Sequence, residues 1–262
     1  MARFKLTIEY EGSRYSGWQL QKGTRSVQGS FFDACKSVFD SQPFEFYGAG
    51  RTDGGVHALG QVAHLEVKTN LSLQQIRFKL NDALPYDINI LSVEQAAPKF
   101  HARYDATARS YLYLISTRRS AFGKNYSWWI KDKLNVTLMQ QAAEKLSGFK
   151  DYQSFTDKDA ETDSTKVEVN WIDVHKTDDL IVLHFVASHF LWKMVRRITG
   201  VLVEAGREKL PLNEIQGMLK SYSPVPAKLT APGSGLYLHK VYYDNQVPER
   251  GRELIPQILS LK

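Results

Sequence analysis

Apolar and polar residues alternate near the start of the chain. Phe4, Leu6, Ile8 and Tyr10 are separated by Lys5, Thr7 and Glu9, the two-residue period of a strand with one buried face. After a loop rich in glycine and aromatics, Val27, Phe31, Cys35, Val38 and Phe39 fall at helical spacing behind Ser26, a suitable N-cap. Cys35 therefore belongs to a core stripe and is read as inert. Apolar runs at 44–47 and 62–67 predict strands on either side of a glycine-rich loop, followed by a helix over 73–84 and a strand over 88–93.

The order then begins again. A strand is predicted over 109–116, a helix over 138–146, a hairpin with strands at 171–175 and 180–186, helices over 191–205 and 212–219, and a strand over 235–243. Two successive strand-helix-strand-strand-helix-strand units predict a duplicated α+β architecture. The N-terminal half would run over 1–105, the C-terminal half over 106–245 and a weakly patterned tail over 246–262. The polar stretch 156–165, with four acidic residues, reads as a surface loop.

Composition adds exclusions more than assignments. With 43% hydrophobic and 24% charged residues the chain is not a disordered one. A net charge of +6 suits a polyanionic partner and equally suits ordinary solubility. The basic residues recur along the chain, at Lys99, Arg103, Arg109, Arg118, Arg119, Lys131, Lys133, Lys193, Arg196 and Arg197, which predicts a folded basic surface and not a basic arm. The single cysteine excludes an intrachain disulfide and a multi-cysteine zinc site, and points to a reducing compartment. No apolar run approaches the roughly 18 residues that span a bilayer, so a cytoplasmic protein with no membrane association is expected.

The segment with most chemistry is Gly48-Ala49-Gly50-Arg51-Thr52-Asp53-Gly54-Gly55-Val56-His57-Ala58. Its four glycines permit a tight turn and close approach of a ligand. Three readings stand side by side: a structural turn with surface charges, a phosphate cradle, or a loop presenting Asp53 as nucleophile or base. The cradle is weakly supported, because the segment lacks the Lys-Ser/Thr ending of a P-loop and the spacing of a dinucleotide fingerprint. The third reading has a physical requirement. A free aspartate is ionised at neutral pH and burial works against that charge, so an active one needs a cationic neighbour. Arg196 is one candidate, on a helix whose apolar face would hold Leu191, Met194, Val195 and Ile198 while Lys193, Arg196 and Arg197 share the opposite face. That opposite face reads equally as a solvated basic surface.

Aromatic and basic residues interleave in Lys99-Phe100-His101-Ala102-Arg103-Tyr104 and in Arg109-Ser110-Tyr111-Leu112-Tyr113. Such segments can stack unpaired RNA bases beside phosphate-pairing cations, although alternating aromatics also serve as strand core. The seven histidines are scattered without metal-ligand spacing, so no metal is assigned, and no nucleophile elbow of a serine hydrolase is present.

Taken together, these segments resemble the tRNA pseudouridine synthase A (TruA) family, whose signature is a Gly-Arg-Thr-Asp loop followed by Gly-Val-His. Here it stands as Gly50-Arg51-Thr52-Asp53-Gly54-Gly55-Val56-His57-Ala58. The likeness continues in Ile8-Glu9-Tyr10-Glu11-Gly12-Ser13, Gly17-Trp18-Gln19-Leu20-Gln21, Ser26-Val27-Gln28, Phe100-His101-Ala102-Arg103, Ala106-Thr107-Ala108-Arg109-Ser110-Tyr111, Phe190 through Met194-Val195-Arg196, and Gly235-Leu236-Tyr237-Leu238. The resemblance implies a pseudouridine synthase fold with two sheet-bearing halves around a central basic cleft. It implies that Asp53 is catalytic, that Tyr111 stacks on the target base, and that Arg196 pairs with the carboxylate. Arg51 would fill the place of the flipped uridine, and Leu236 would belong to the substrate-binding set. Family members isomerise uridines 38, 39 and 40 in the anticodon stem-loop of tRNA, use neither cofactor nor metal, and act as homodimers. Two departures stand out: Gly54 replaces the usual alanine, which should loosen the loop, and Trp192-Lys193 replace a common histidine pair.

Overall fold

The computed structural model describes residues 1–157, 164–244 and 246–250. Most of the acidic stretch 156–165 and of the tail 246–262 lies outside the described residues. In chain order the elements are β1 (Ala2–Tyr10), α1 (Val27–Val38), β2 (Phe44–Gly48), β3 (His57–Val67), α2 (Leu73–Ala83), β4 (Ile88–Gln95), β5 (Ala106–Ser116), β6 (Trp128–Trp129) and α3 (Val136–Lys145). They continue with β7 (Gly148–Asp151), β8 (Lys166–Lys176), β9 (Leu180–Ala187), α4 (Met194–Gly206), α5 (Leu212–Lys220), α6 (Val225–Lys228) and β10 (Leu236–Tyr243). The chain is an α+β protein of two compact units. One consists of Met1–Thr107 and Tyr237–Gln246, and the other is built on Ala108–Leu236. The chain thus leaves the first unit after Thr107 and returns to it for its last strand.

In the first unit, β1 lies between β3 and β4, antiparallel to both. The predicted alternation holds, with Phe4, Leu6, Ile8 and Tyr10 buried and Lys5, Thr7 and Glu9 half-exposed. The other edge of β3 is divided. β2 runs antiparallel along its later residues, from Gly48↔Ala63 to Phe44↔Val67, and β10 runs parallel to its start through Tyr237↔His57 and Leu238↔Ala58. This pairing explains why β3 begins at His57, five residues before the alternation at 62–67 suggests: its first residues are held by a strand distant in sequence, which a local pattern cannot announce.

Helix α1 is capped by Ser26, whose side chain accepts the Gly29 N–H at 3.2 Å, and its stripe of Val27, Phe31 and Cys35 is buried as expected. Phe31 stacks on Phe46 of β2 with ring centroids 4.6 Å apart, and Trp18 stacks on Phe46 at 5.9 Å. Helix α2 opens with a capping box, in which Ser72 and Gln75 satisfy each other's backbone N–H groups.

In the second unit, β9 pairs antiparallel with β5 and β8, β7 pairs with β8, and β6 adds a short parallel rung to β5. The elements β6 and β7 are too short for a periodicity to reveal them. Helix α3, capped by Asn135, packs on β8 and against α4. Helix α4 departs from expectation in two ways. It starts at Met194 and not at 191, because Lys193 adopts a left-handed backbone (φ 61) that ends the turn before it. Eleven of its 13 residues are buried, so it is a core helix and has no broad solvated face.

Cys35 is fully buried, and burial pushes its thiol up to about 12. The folded protein at pH 8 should therefore give essentially no reaction with a thiol reagent, while the denatured chain gives its single equivalent. A full equivalent from the folded protein would show that Cys35 is not in the core.

Candidate active site

The first two residues of the loop after β2 are fastened to β3 of the same hairpin. The Ala49 N–H donates to Val62 O at 2.7 Å, and the Gln61 side chain donates to Gly50 O at 2.9 Å. The middle of the loop is fastened by the segment that follows β1. Gly17 forms an isolated antiparallel bridge with Asp53, the Trp18 N–H donates to Thr52 O at 3.0 Å, and the Gly55 N–H donates to Tyr15 O at 3.3 Å. Thr52 is buried and its hydroxyl shares a 2.8 Å hydrogen bond with the Tyr10 hydroxyl. The residue before the candidate carboxylate is thus locked to β1, and the residue itself is bridged to a second backbone. Asp53 is half-buried at this point and Arg51 is exposed.

Beyond Asp53 the chain reverses. The Val56 N–H donates to Asp53 O at 3.2 Å, closing a four-residue turn with Gly55 at its third position and a φ of +77°, the conformation of a type II turn that favours glycine. Close approach of the partner segment demands two further glycines. A Cβ on Gly12 would collide with the Val56 carbonyl oxygen, and one on Gly17, whose φ is +104°, would lie 2.5 Å from Thr52 O. His57 then enters β3, buried, with Nδ1 accepting the Gly12 N–H at 3.0 Å and its ring 4.7 Å from that of Tyr237. The acceptor role at Nδ1 leaves the proton of a neutral imidazole on Nε2.

The partner segment has an anchor of its own. The Tyr15 hydroxyl donates to Asp87, Arg25 Nη2 donates to the Tyr15 oxygen at 3.0 Å, and the Arg25 guanidinium sits 4.6 Å from the Tyr15 ring centre. Burial, together with the hydrogen bond and negative charge of Asp87, pushes the Tyr15 phenol up to about 12. These groups hold the Asp53 loop at one remove. No sequence signal announces them, because residues 15, 25 and 87 carry no motif and meet only in the fold.

The other candidates lie in the second unit. Tyr111 is buried on β5 opposite Phe185 of β9, with its ring edge-on to Phe190 at 5.0 Å. Tyr113, on the same face of the strand, donates its hydroxyl to Pro232 O at 2.8 Å. Burial pushes the Tyr113 phenol far up, against the opposing influence of the Arg196 guanidinium. Arg196 is half-buried in the first turn of α4. Its Nε donates to Ala231 O at 2.7 Å, and its own carbonyl accepts the Ala231 N–H at 3.0 Å. Leu236 is buried directly after Gly235, where a Cβ would lie 2.7 Å from the Tyr113 ring. The second unit therefore gathers the Tyr111 strand, Arg196 and Leu236 into one neighbourhood.

The expected common basic face of Lys193, Arg196 and Arg197 is corrected by this arrangement. Arg197 is buried and makes an ion pair with Asp157, and Lys193 Nζ reaches the other oxygen of the same carboxylate at 2.7 Å. The Asp157 carboxyl is held below the usual carboxylate range by these hydrogen bonds, that of Lys193 foremost. A guanidinium enters the core only with a partner, and the acidic stretch that looked like plain surface supplies it.

Comparison with known proteins gives a consistent result. The model of the tRNA pseudouridine synthase family matches residues 6–105 and 142–244. "tRNA pseudouridine synthase A" of Ehrlichia chaffeensis is 39% identical over 244 residues, covering 92% of this chain and 100% of the relative. The protein of that name from a Geobacillus species is 36% identical, covering 93% and 99%, and "tRNA pseudouridine synthase A 1" of Protochlamydia amoebophila is 34% identical, covering 93% and 97%.

The two glycines after Asp53 should respond oppositely to alanine. A Cβ on Gly54 would meet only ordinary contacts at 3.6 Å, to Ser16 C and Tyr15 O, and its φ is not positive. Gly54→Ala should stabilise by about 0.4–1 kcal/mol through the unfolded chain. Gly55→Ala should destabilise by about 1–2 kcal/mol, the left-handed penalty of a residue with Cβ. Thermal melts of both variants check the pair, and equal shifts of the same sign would refute this account of the turn.

Proposed function

The chain belongs to the tRNA pseudouridine synthase family, and on that premise we propose that it converts uridines 38, 39 and 40 in the anticodon stem-loop of tRNA to pseudouridine, with Asp53 as the catalytic carboxylate. The observation that carries the proposal is the family match across both units, together with the clasped loop that holds Asp53 half-buried at a fixed point. Isomerisation of a tRNA uridine is the family's reaction. The target positions, the compartment and the residue roles are our reading.

The chemistry suits these side chains. The N1–C1′ bond of the uridine must break, the uracil must turn, and C5 must bond to C1′ before its proton leaves. None of this can occur in a stacked helix, so the nucleotide is first everted. Arg51, exposed beside Asp53, is assigned the vacated place. The Asp53 carboxylate then attacks the base, attacks the ribose, or removes a sugar proton, and each route requires it to be ionised. Tyr111 is assigned to stack on the uracil, with its hydroxyl a candidate for the final loss of the C5 proton. Arg196 is assigned as the cation that pairs with the carboxylate, and Leu236 as part of the apolar wall. The reaction as written is redox-neutral and needs no co-reactant. We propose further that the enzyme works in the cytoplasm as a homodimer. Among the described residues no helix is long and apolar enough to cross a membrane.

Asp53→Asn should retain tRNA affinity while pseudouridine formation falls at least about 1000-fold. Tritium release from 5-tritiated tRNA measures the rate, and turnover by this variant within tenfold of the parent would remove Asp53 from the role. Arg196→Ala should lower the rate by roughly tenfold or more and alter its pH profile, because the carboxylate loses its proposed partner. An unchanged rate and profile would remove Arg196 from the role of partner to Asp53.

A further inference from the structure

One sequence motif, Lys99 to Tyr104, has no part in the catalytic scheme, and the structure shows what it builds. The segment crosses the face of the first unit's sheet opposite to α1, and it is pinned in its middle, at His101 and Ala102. The Ala102 N–H donates to His64 Nδ1 at 3.1 Å, Ala102 O accepts the Tyr243 hydroxyl at 2.6 Å, and the Asp105 carboxylate accepts the His101 N–H at 2.9 Å. On this fixed base the rings form a connected tier. Tyr104 lies 4.2 Å from His101, His101 lies 6.0 Å from Tyr47 and 4.7 Å from His64, and Tyr47 stacks on His64 at 5.4 Å.

The outer members of the tier are open to solvent: Tyr104 is 77% exposed and Tyr47 50%. Two rings held so firmly yet so exposed are not serving the core. His101 Nδ1 accepts the N–H groups of Arg103 and Tyr104, so its imidazole is neutral in this arrangement and presents a π-face without a charge to desolvate. Arg103 and Lys99 are exposed on either side of His101, within reach of a phosphate backbone. The tier is also continuous with the catalytic loop. Tyr47 is on β2, and the loop begins at Ala49, two residues or roughly 7 Å along the strand.

We propose that Tyr104, His101 and Tyr47 form a second base-stacking platform, which holds an unpaired nucleotide of the substrate RNA outside the catalytic loop. It rests on the reading of this chain as a tRNA-modifying enzyme. The everted uridine goes to the loop, and another unpaired base of the same RNA lies on Tyr104. Its affinity comes from ring overlap, so it tolerates any base.

The test is the affinity of unmodified tRNA, measured by filter binding over a series of salt concentrations. Stacking on one ring corresponds to about a 5- to 150-fold change in Kd. Tyr104→Ala should weaken binding within that range, with the slope of log Kd against log salt unchanged because no phosphate contact is lost. Tyr104→Phe, which keeps the ring, should restore the affinity, and Tyr47→Ala should act in the same direction as Tyr104→Ala. An exposed ring can be removed without unfolding the protein, and a thermal melt confirms this for each variant. Unchanged Kd for Tyr104→Ala overturns the proposal, and so does a loss that Tyr104→Phe fails to repair. A change in the protein's oligomeric state with tRNA affinity intact also overturns it, since the rings would then meet protein. If the parent protein binds tRNA but forms no pseudouridine, the functional reading fails while the binding series still judges the platform.

Discussion

The position of Asp53 depends on backbone meeting backbone. The segment from Gly12 to Trp18 lies so close against residues 52–56 that no Cβ fits at Gly12 or Gly17, and three N–H to C=O or bridge contacts join the two stretches. Side-chain contacts could relax around a ligand, whereas a paired backbone resists displacement because each broken bond would leave a polar group unsatisfied. In the proposed reaction the Asp53 carboxylate gains from this stiffness, because reaction rates fall steeply with misplacement. Tyr15, Arg25 and Asp87 extend the same constraint outward by tying down the clasping segment.

Beneath the loop the packing is aromatic. Trp18, Phe31 and Phe46 stack in succession, and the Trp18 ring lies where a side chain at Gly48 would be. Large rigid rings fill the space with few rotameric alternatives, so the floor of the loop is as firmly set as its edges. In the second unit the same end is reached by a different means. Arg196 is bracketed against Ala231 by a side-chain and a backbone hydrogen bond, and its neighbours Lys193 and Arg197 converge on Asp157. Three basic residues of one helical stretch thus serve two purposes: two hold the start of α4 in place, and the third is oriented separately.

The sheet of the first unit divides its work by face. One face carries Phe4, Leu6, Ile8 and Phe46 toward the helices, and the other carries Lys5, Tyr47 and His64 under the Lys99–Tyr104 segment. Because strand side chains alternate, β2 can contribute to the core through Phe46 and to the exposed tier through Tyr47, immediately before its chain enters the Asp53 loop. Core, exposed tier and loop are therefore consecutive features of one strand.

The sequence alone determined whatever depends on neighbours in the chain. The alternation of β1, the Ser26 cap and stripe of α1, the inert Cys35, the α+β order and the Gly-Arg-Thr-Asp loop with its family resemblance all follow from residues a few positions apart. Tertiary structure decided what depends on partners far away in sequence. It extended β3 back to His57 by supplying β10, returned the last strand to the first unit, and started α4 at Met194 behind a left-handed Lys193. It also moved Arg197 from an expected solvated face into the core by bringing Asp157 to it. Local periodicity reports which face of an element is apolar, but it carries no record of which distant strand, carboxylate or glycine will be pressed against that face.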